Sequence, residues 1–258
     1  MRTTRQSAPK HQPKGVTLLY EDADILVVDK PSGLLTMGTD RDKSRTVHSI
    51  LNDYVRKGNP KSIKDWDDLT KDGVEVITPN PFTSGGAKWN IMAAYGAQLE
   101  AGRSENEAKQ YLEDLFANVP VQDKSAREAL QTFIGGKGDV LLAYENEAIT
   151  AQQKDQELDY TIPNGTILIQ NPIAVTIGAA DTATKFVEFA RGEEAQRIFG
   201  EKGYRSIRED LVDEATYPTP TNLFTIDDLG GWSKVNDEFF DPRERRDGRH
   251  QQGPGVPD

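Results

Sequence analysis

Four consecutive residues, Thr83-Ser84-Gly85-Gly86, stand between the β-branched run Val74-Glu75-Val76-Ile77 and a helix-forming stretch that reaches about Leu99. A helix that starts at such a place presents unpaired backbone N–H groups and a partial positive charge; the glycines let an anion approach the backbone, and the serine hydroxyl adds a donor. No Lys followed by Ser or Thr comes after the glycines, so the pattern points to a small oxyanion and away from a nucleotide. Taken alone, the same residues also read as an ordinary N-cap with flexible glycines. Ser125-Ala126-Arg127-Glu128 has the spacing of a capping box and opens a second helix. Two converging helix N-termini could hold a dianion without a lysine counter-ion, although either box alone serves equally to stop fraying. Such a site binds; it does not catalyse.

Catalytic constellations are sparse. Asp139, Glu145 and Glu147 border a strand-to-helix turn and could be paired as acid and base, but that placement predicts caps and solvated faces. His11, His48 and His250 are scattered in polar surroundings and the chain has no cysteine, which argues against a metal centre, a Ser-His-Asp triad, a thiolate nucleophile or disulfides. No cofactor is expected. With 31 Lys and Arg against 42 Asp and Glu, the net charge of -11 disfavours nucleic acid as a partner. The 258 residues, 36% of them hydrophobic, suffice for one large domain or two small ones, and no apolar run approaches the ~18 residues of a membrane helix.

The elements that must position these residues follow from periodicity and punctuation. Residues 1–14 are basic, hold little to bury and predict a disordered leader; they lack the apolar run of an export signal. Val16–Tyr20 and Ile25–Val28 predict a hairpin, and Val47, Ile50, Leu51, Tyr54 and Val55 recur at helical spacing. From Ile63 the sequence predicts a short helical turn over 65–69, a strand over 74–77, the helix from the Ser84 loop, and a helix after the capping box Ser104-Glu105-Asn106-Glu107. A helix from Ser125 to Gly135, a strand over 139–144 and a helix over 147–153 come next. Strands over 167–169 and 173–177, helices over 183–191 and 193–200, and a last helix capped at Thr225–Asp228 and running through Trp232 and Phe239 complete the pattern. Residues 241–258 predict a disordered tail. The alternation over 63–200 predicts an α/β fold with a largely parallel sheet. Trp66 and Trp232 predict half-buried indoles with bonded N–H groups, and Trp89 a core residue.

Residues 63–240 resemble the latter two thirds of bacterial sulfate/thiosulfate-binding proteins of ABC importers. The runs that carry the likeness are Ile63-Lys64-Asp65-Trp66-Asp67-Asp68-Leu69, Val76-Ile77-Thr78-Pro79-Asn80-Pro81, Thr83-Ser84-Gly85-Gly86-Ala87-Lys88-Trp89-Asn90, Gly138–Ala148 and Phe224–Trp232. The resemblance implies a type II periplasmic-binding-protein-like α/β fold with sulfate or thiosulfate held in an interlobe cleft by uncharged donors. By matching position it gives Ser84, Gly85, Gly86 and Ala126 as sulfate-binding residues, with Thr83 and Arg127 behind them. Tyr144 stands where many members have a tryptophan, and a phenol donates with a different reach. The implied partners are the importer's membrane subunits, the implied location is the periplasm, and a monomeric binding protein rather than an enzyme is expected.

A second resemblance covers residues 15–62. Leu19–Leu35 and Asp53–Pro60 are similar to the start of the catalytic domain of ribosomal-type RNA pseudouridine synthases, whose catalytic His-Arg-Leu-Asp motif is absent here. The two likenesses meet at Arg56–Lys61. Together they predict a fusion: a hairpin-and-helix segment, then one complete lobe over about 78–158 and one incomplete lobe, with impaired sulfate capture. An inactive synthase fragment or a non-functional fusion is the alternative, and a chain without an export signal would remain cytoplasmic.

Overall fold

The computed structural model describes residues 12–22, 25–38, 46–56, 59–154, 156 and 158–241. Most of the expected leader and tail, with His11 and His250, lies outside the described residues, as does part of the Arg56–Lys61 junction.

β3 (Val76–Pro79) is the centre of the main sheet. All four of its residues are buried, as suits a strand covered on both faces. β4 (Val121–Asp123) and β5 (Val140–Leu141) flank it, both parallel to it. The strand therefore starts two residues later than the sequence predicts, and the run over 139–144 shrinks to a two-residue ladder because only Val140 and Leu141 face β3 in register.

α2 (Gly85–Glu100) is buried nearly all round, from Ala87 and Asn90 through Gln98. Its small residues let a second sheet approach closely. β6 (Gly165–Ile167) and β7 (Asn222–Phe224) form a parallel pair, and the Phe224 ring occupies the space where a Cβ on Gly96 would stand. Trp66 closes this core: it is buried, and its Nε1 donates to the Gly165 carbonyl at 2.7 Å. Tyr111 donates in turn to the Trp66 carbonyl at 2.7 Å. α3 (Glu105–Ala117) packs Ala108, Tyr111, Leu112 and Leu115 inward behind a complete Ser104–Glu107 capping box.

Residues 12–56 make a smaller unit. β1 (Thr17–Glu21) and β2 (Leu26–Asp29) pair antiparallel with an irregularity between Leu18 and Tyr20. α1 (Val47–Arg56) joins them through a cluster of Val16, Val47 and Ile50, separate from the main core. Leu19, Ile25 and Val27 stay exposed. α1 rests on the turn at Gly136, whose φ of 99° and close approach to Asn52 and His48 favour glycine.

Two expectations fail. The β-branched run 173–177 forms no strand: residues 171–180 are all exposed and irregular, Ile177 completely so. A strand needs a ladder partner, and none of the described strands pairs with this run. The last helix is divided into a 3-10 turn over Asp227–Leu229, a helix over Gly231–Val235 and a π turn over Asn236–Phe240, and the break after Leu229 falls where Gly230 and Gly231 take positive φ. α6 (Asp181–Arg191) forms as expected yet has no buried residue, with Phe186 and Phe189 in solvent. α7 (Glu193–Glu201) follows it directly.

Gly96→Ala should destabilise the protein by about 1–3 kcal/mol, read as a lower denaturation midpoint; an unchanged midpoint would refute the seating of Phe224 against α2. In limited elastase digestion the first cuts should fall within 171–180, well before any within 85–117, and the reverse order would contradict this packing.

Candidate functional site

Because β3, β4 and β5 run parallel, they leave the sheet at one edge, and each leads into a helix there. α2 begins after Ser84, α4 (Ala126–Ile134) after Ser125 and α5 (Glu145–Gln153) after Tyr144. The carboxyl edge of an open parallel sheet is where such folds bind ligands, and the three N-termini bring unbonded amides and positive dipole ends toward it.

Asn80 shapes the first approach. Its amide donates to the Asp123 carbonyl at 2.7 Å, which extends the β3–β4 ladder by one rung, and its own carbonyl accepts from Thr83 and Ser84. Its Oδ1 accepts from the Phe82 amide at 2.8 Å, folding residues 80–84 into a side-chain-supported turn. Thr83 then ties the two helix starts together: its Oγ1 donates to the Lys124 carbonyl at 2.8 Å. This bond is what the Thr83 side chain contributes to the site.

The Ser84 side chain makes no capping hydrogen bond, so its hydroxyl is not consumed by its own helix. Around Gly86 the donors converge: a Cβ there would lie 3.4 Å from the Tyr144 hydroxyl and 3.5 Å from Ser84 Oγ. Glycine thus keeps open the space between two hydroxyls, while Gly85 faces no atom within 4 Å. Tyr144 is half-buried, and burial together with the Glu147 charge raises its phenol above the ordinary value. It is a protonated donor at neutral pH. Burial also raises the Glu147 carboxyl.

Ser125 caps α4 through the Glu128 amide at 3.2 Å. The expected reciprocal box is incomplete, since the Glu128 carboxylate accepts from the Lys124 amide instead, at 3.3 Å. Ala126, at the first position of α4, is half-buried, and Arg127 beside it is exposed, with no hydrogen bond or ion pair among the described residues.

The acidic residues are otherwise engaged. Asp139 Oδ2 accepts from Lys61 Nζ at 2.6 Å and from the Glu75 amide at 2.8 Å, and Glu145 is gripped by Arg205. Among the described residues no group of three or more His, Asp or Glu side chains could hold a metal.

A cleft of about 2390 Å³ opens beside this edge, lined by Trp89, Asn90, Tyr144, Glu145 and Glu147 among others. Tyr144 is the candidate site residue that reaches it; Ser84, Gly85, Gly86 and Ala126 do not line it. Trp89 is half-buried, not a full core residue, and meets Trp232 edge to face at 4.6 Å. Sequence reasoning misses Asn80 and Asn90. The Asn-Pro dipeptide signals the first as a turn; the second, which donates to the Leu142 carbonyl at 3.0 Å and so helps fix the exit of β5, leaves no local signal.

Residues 21–205 match the family described as bacterial extracellular solute-binding protein. The chain is 41% identical over 237 residues to a sulfate-binding protein of Synechococcus elongatus, covering 87% of this chain and 67% of that one. It is 37% identical over 211 residues to a sulfate-binding protein of Escherichia coli (77% and 64%) and 32% identical over 242 residues to a thiosulfate-binding protein of the same species (89% and 70%). Among solved structures, the sulfate-binding protein SubI from Mycobacterium tuberculosis superposes with a TM-score of 0.65 at 39% identity, covering 71% of this chain and 66% of that chain. The fold is of the periplasmic-binding-protein type, and the chain belongs to the bacterial extracellular solute-binding protein family. It spans about two thirds of the length of these relatives, and the family match begins inside the hairpin, at residue 21.

Because Ser84 Oγ makes no cap bond, Ser84→Ala should change stability by less than about 0.5 kcal/mol, whereas Ser104→Ala should cost about 1 kcal/mol. Denaturation midpoints of the two variants check this; equal losses would show that Ser84 serves its own helix.

Proposed function

We propose that the chain captures sulfate, thiosulfate or another tetrahedral oxyanion of that size and presents it to the membrane subunits of an ABC importer. The observation that carries this reading is the convergence of the Ser84 and Tyr144 hydroxyls on Gly86, at the sheet edge where α2 and α4 begin. The names of the relatives support the same ligand class. Ser84 and Tyr144 donate hydroxyls and Gly85, Gly86 and Ala126 donate amides; Thr83 holds the two helix starts together and Arg127 stands behind the Ala126 amide. These donors are neutral, so the anion is held by directed hydrogen bonds and helix dipoles without a counter-ion. The protein works as a monomer in the periplasm and carries out no chemical step.

A fusion origin for residues 15–62 forms part of the same proposal. It is supported by the separate small core of that segment, while the family match takes in residues 21–62 as well. Amplification across the junction from source DNA tests it, and a continuous gene would refute an assembly artefact.

Calorimetric titration of the purified protein with sulfate, with phosphate and chloride at matched ionic strength, tests the binding reading. Saturable sulfate heat is expected, with phosphate excluded by a cradle of donors. Ser84→Ala and Tyr144→Phe should each weaken binding roughly 10- to 100-fold, the equivalent of ~1.5–3 kcal/mol for a hydrogen bond to a charged group. Absence of sulfate heat from folded protein would overturn the reading.

A further inference from the structure

The first turn of α5 is an unexpected neighbour for an anion. Glu145 and Glu147 both lie in it, directly after Tyr144, and two carboxylates at a helix start oppose the dipole that would otherwise favour the ligand. One of them is answered from 60 residues away. Arg205 grips Glu145 with a fork, Nε to Oε2 at 2.7 Å and Nη2 to Oε1 at 2.8 Å. Two further guanidinium N–H groups donate to the carbonyls of Tyr217 at 3.2 Å and Pro218 at 2.8 Å, and the group lies over the Tyr217 ring at 5.5 Å. Tyr217 is itself buried and anchored by its hydroxyl to the Gly200 carbonyl at 2.8 Å. The turn that carries Arg205 is pressed against the same helix start: Gly203, at φ 88°, approaches Asn146 so closely that a Cβ would lie 3.2 Å from its Cα and carbonyl oxygen. Glu147 has no ion-pair partner among the described residues.

We infer that Arg205 is a positioning and specificity-determining residue for the oxyanion site, acting through Glu145. Its fork cancels the carboxylate at the first position of α5, so that the positive end of that helix is not offset by Glu145. Without it the first turn of α5 would carry two uncompensated negative charges beside a doubly charged ligand. The planar fork also explains arginine: lysine would supply the charge but neither the two-point grip nor the carbonyl contacts. The inference rests on the oxyanion reading given above.

Sulfate titrations of the unaltered protein, Arg205→Met, Arg205→Lys and the double variant Arg205→Met/Glu145→Gln test it. Arg205→Met should weaken sulfate binding by about tenfold or more, because it leaves the half-buried Glu145 carboxylate uncompensated at the helix start. The double variant should recover to within about threefold, since both charges are gone, and Arg205→Lys should fall between. The loss in Arg205→Met should shrink at high ionic strength. A merely structural role would leave the double variant as weak as Arg205→Met, and that result, or unchanged affinity in Arg205→Met, would overturn the inference alone. No sulfate binding by the unaltered protein would overturn the oxyanion reading and this inference with it. If Arg205→Met fails to fold, Glu145→Gln serves instead: it should bind sulfate at least as tightly as the unaltered protein, and weaker binding would overturn the inference.

Discussion

The parallel pairing of β4 and β5 on either side of β3 decides where everything else at the candidate site can be. A parallel strand leaves the sheet at the same edge as its neighbour, so three chain segments arrive together and three helices start together. The strands themselves are short, and their pairing is completed by single bonds beyond the ladder: the Asn80 amide to the Asp123 carbonyl, and the Leu142 amide to the Ile77 carbonyl. Thr83 adds the lateral tie between the first two helix starts. An antiparallel strand in place of either flank would have sent one helix to the opposite edge and left two N-termini at this one.

The features written locally were legible in the sequence. The Ser104 capping box is complete, α2 begins at the predicted glycines, and the hairpin pairs where β-branched runs flank an acidic turn, since each depends on residues a few positions apart. The failures among the strands share one cause, whereas the break in the last helix comes from the local pair Gly230-Gly231. β4 and β7 are three-residue strands defined by their partners, while residues 173–177 have strand-like composition and no ladder, which shows that β propensity describes a fit to neighbours more than a property of the chain. The site divides in the same way. Ser84–Gly86 and Ala126 can be read from a turn and a cap, but the approach of Tyr144 to Gly86 depends on where β5 ends, and the grip of Arg205 on Glu145 depends on the docking of a turn far along the chain.

The site is built almost without formal positive charge. Hydroxyls and amides make its inner surface, carboxylates stand in the first turn of α5, and the guanidinium that reaches that turn is spent on one of them. Under the proposed reading an anion gains here through directed donors held in place, which suits a chain with a net charge of -11 that has little long-range attraction to offer. The cost is dependence on exact placement, because a neutral donor shifted away from its acceptor loses its contribution more abruptly than a point charge does.

The tie between Trp66 and the Gly165 carbonyl, and the seating of Phe224 on Gly96, join parts of the chain that are far apart in sequence. Such closures are slow to form, because the loop entropy between the partners must be lost before any contact repays it. Until β7 arrives, α2 keeps an empty groove at Gly96 and β6 has no strand to pair with. During synthesis the groove on α2 therefore stays open until the segment around Phe224 has emerged.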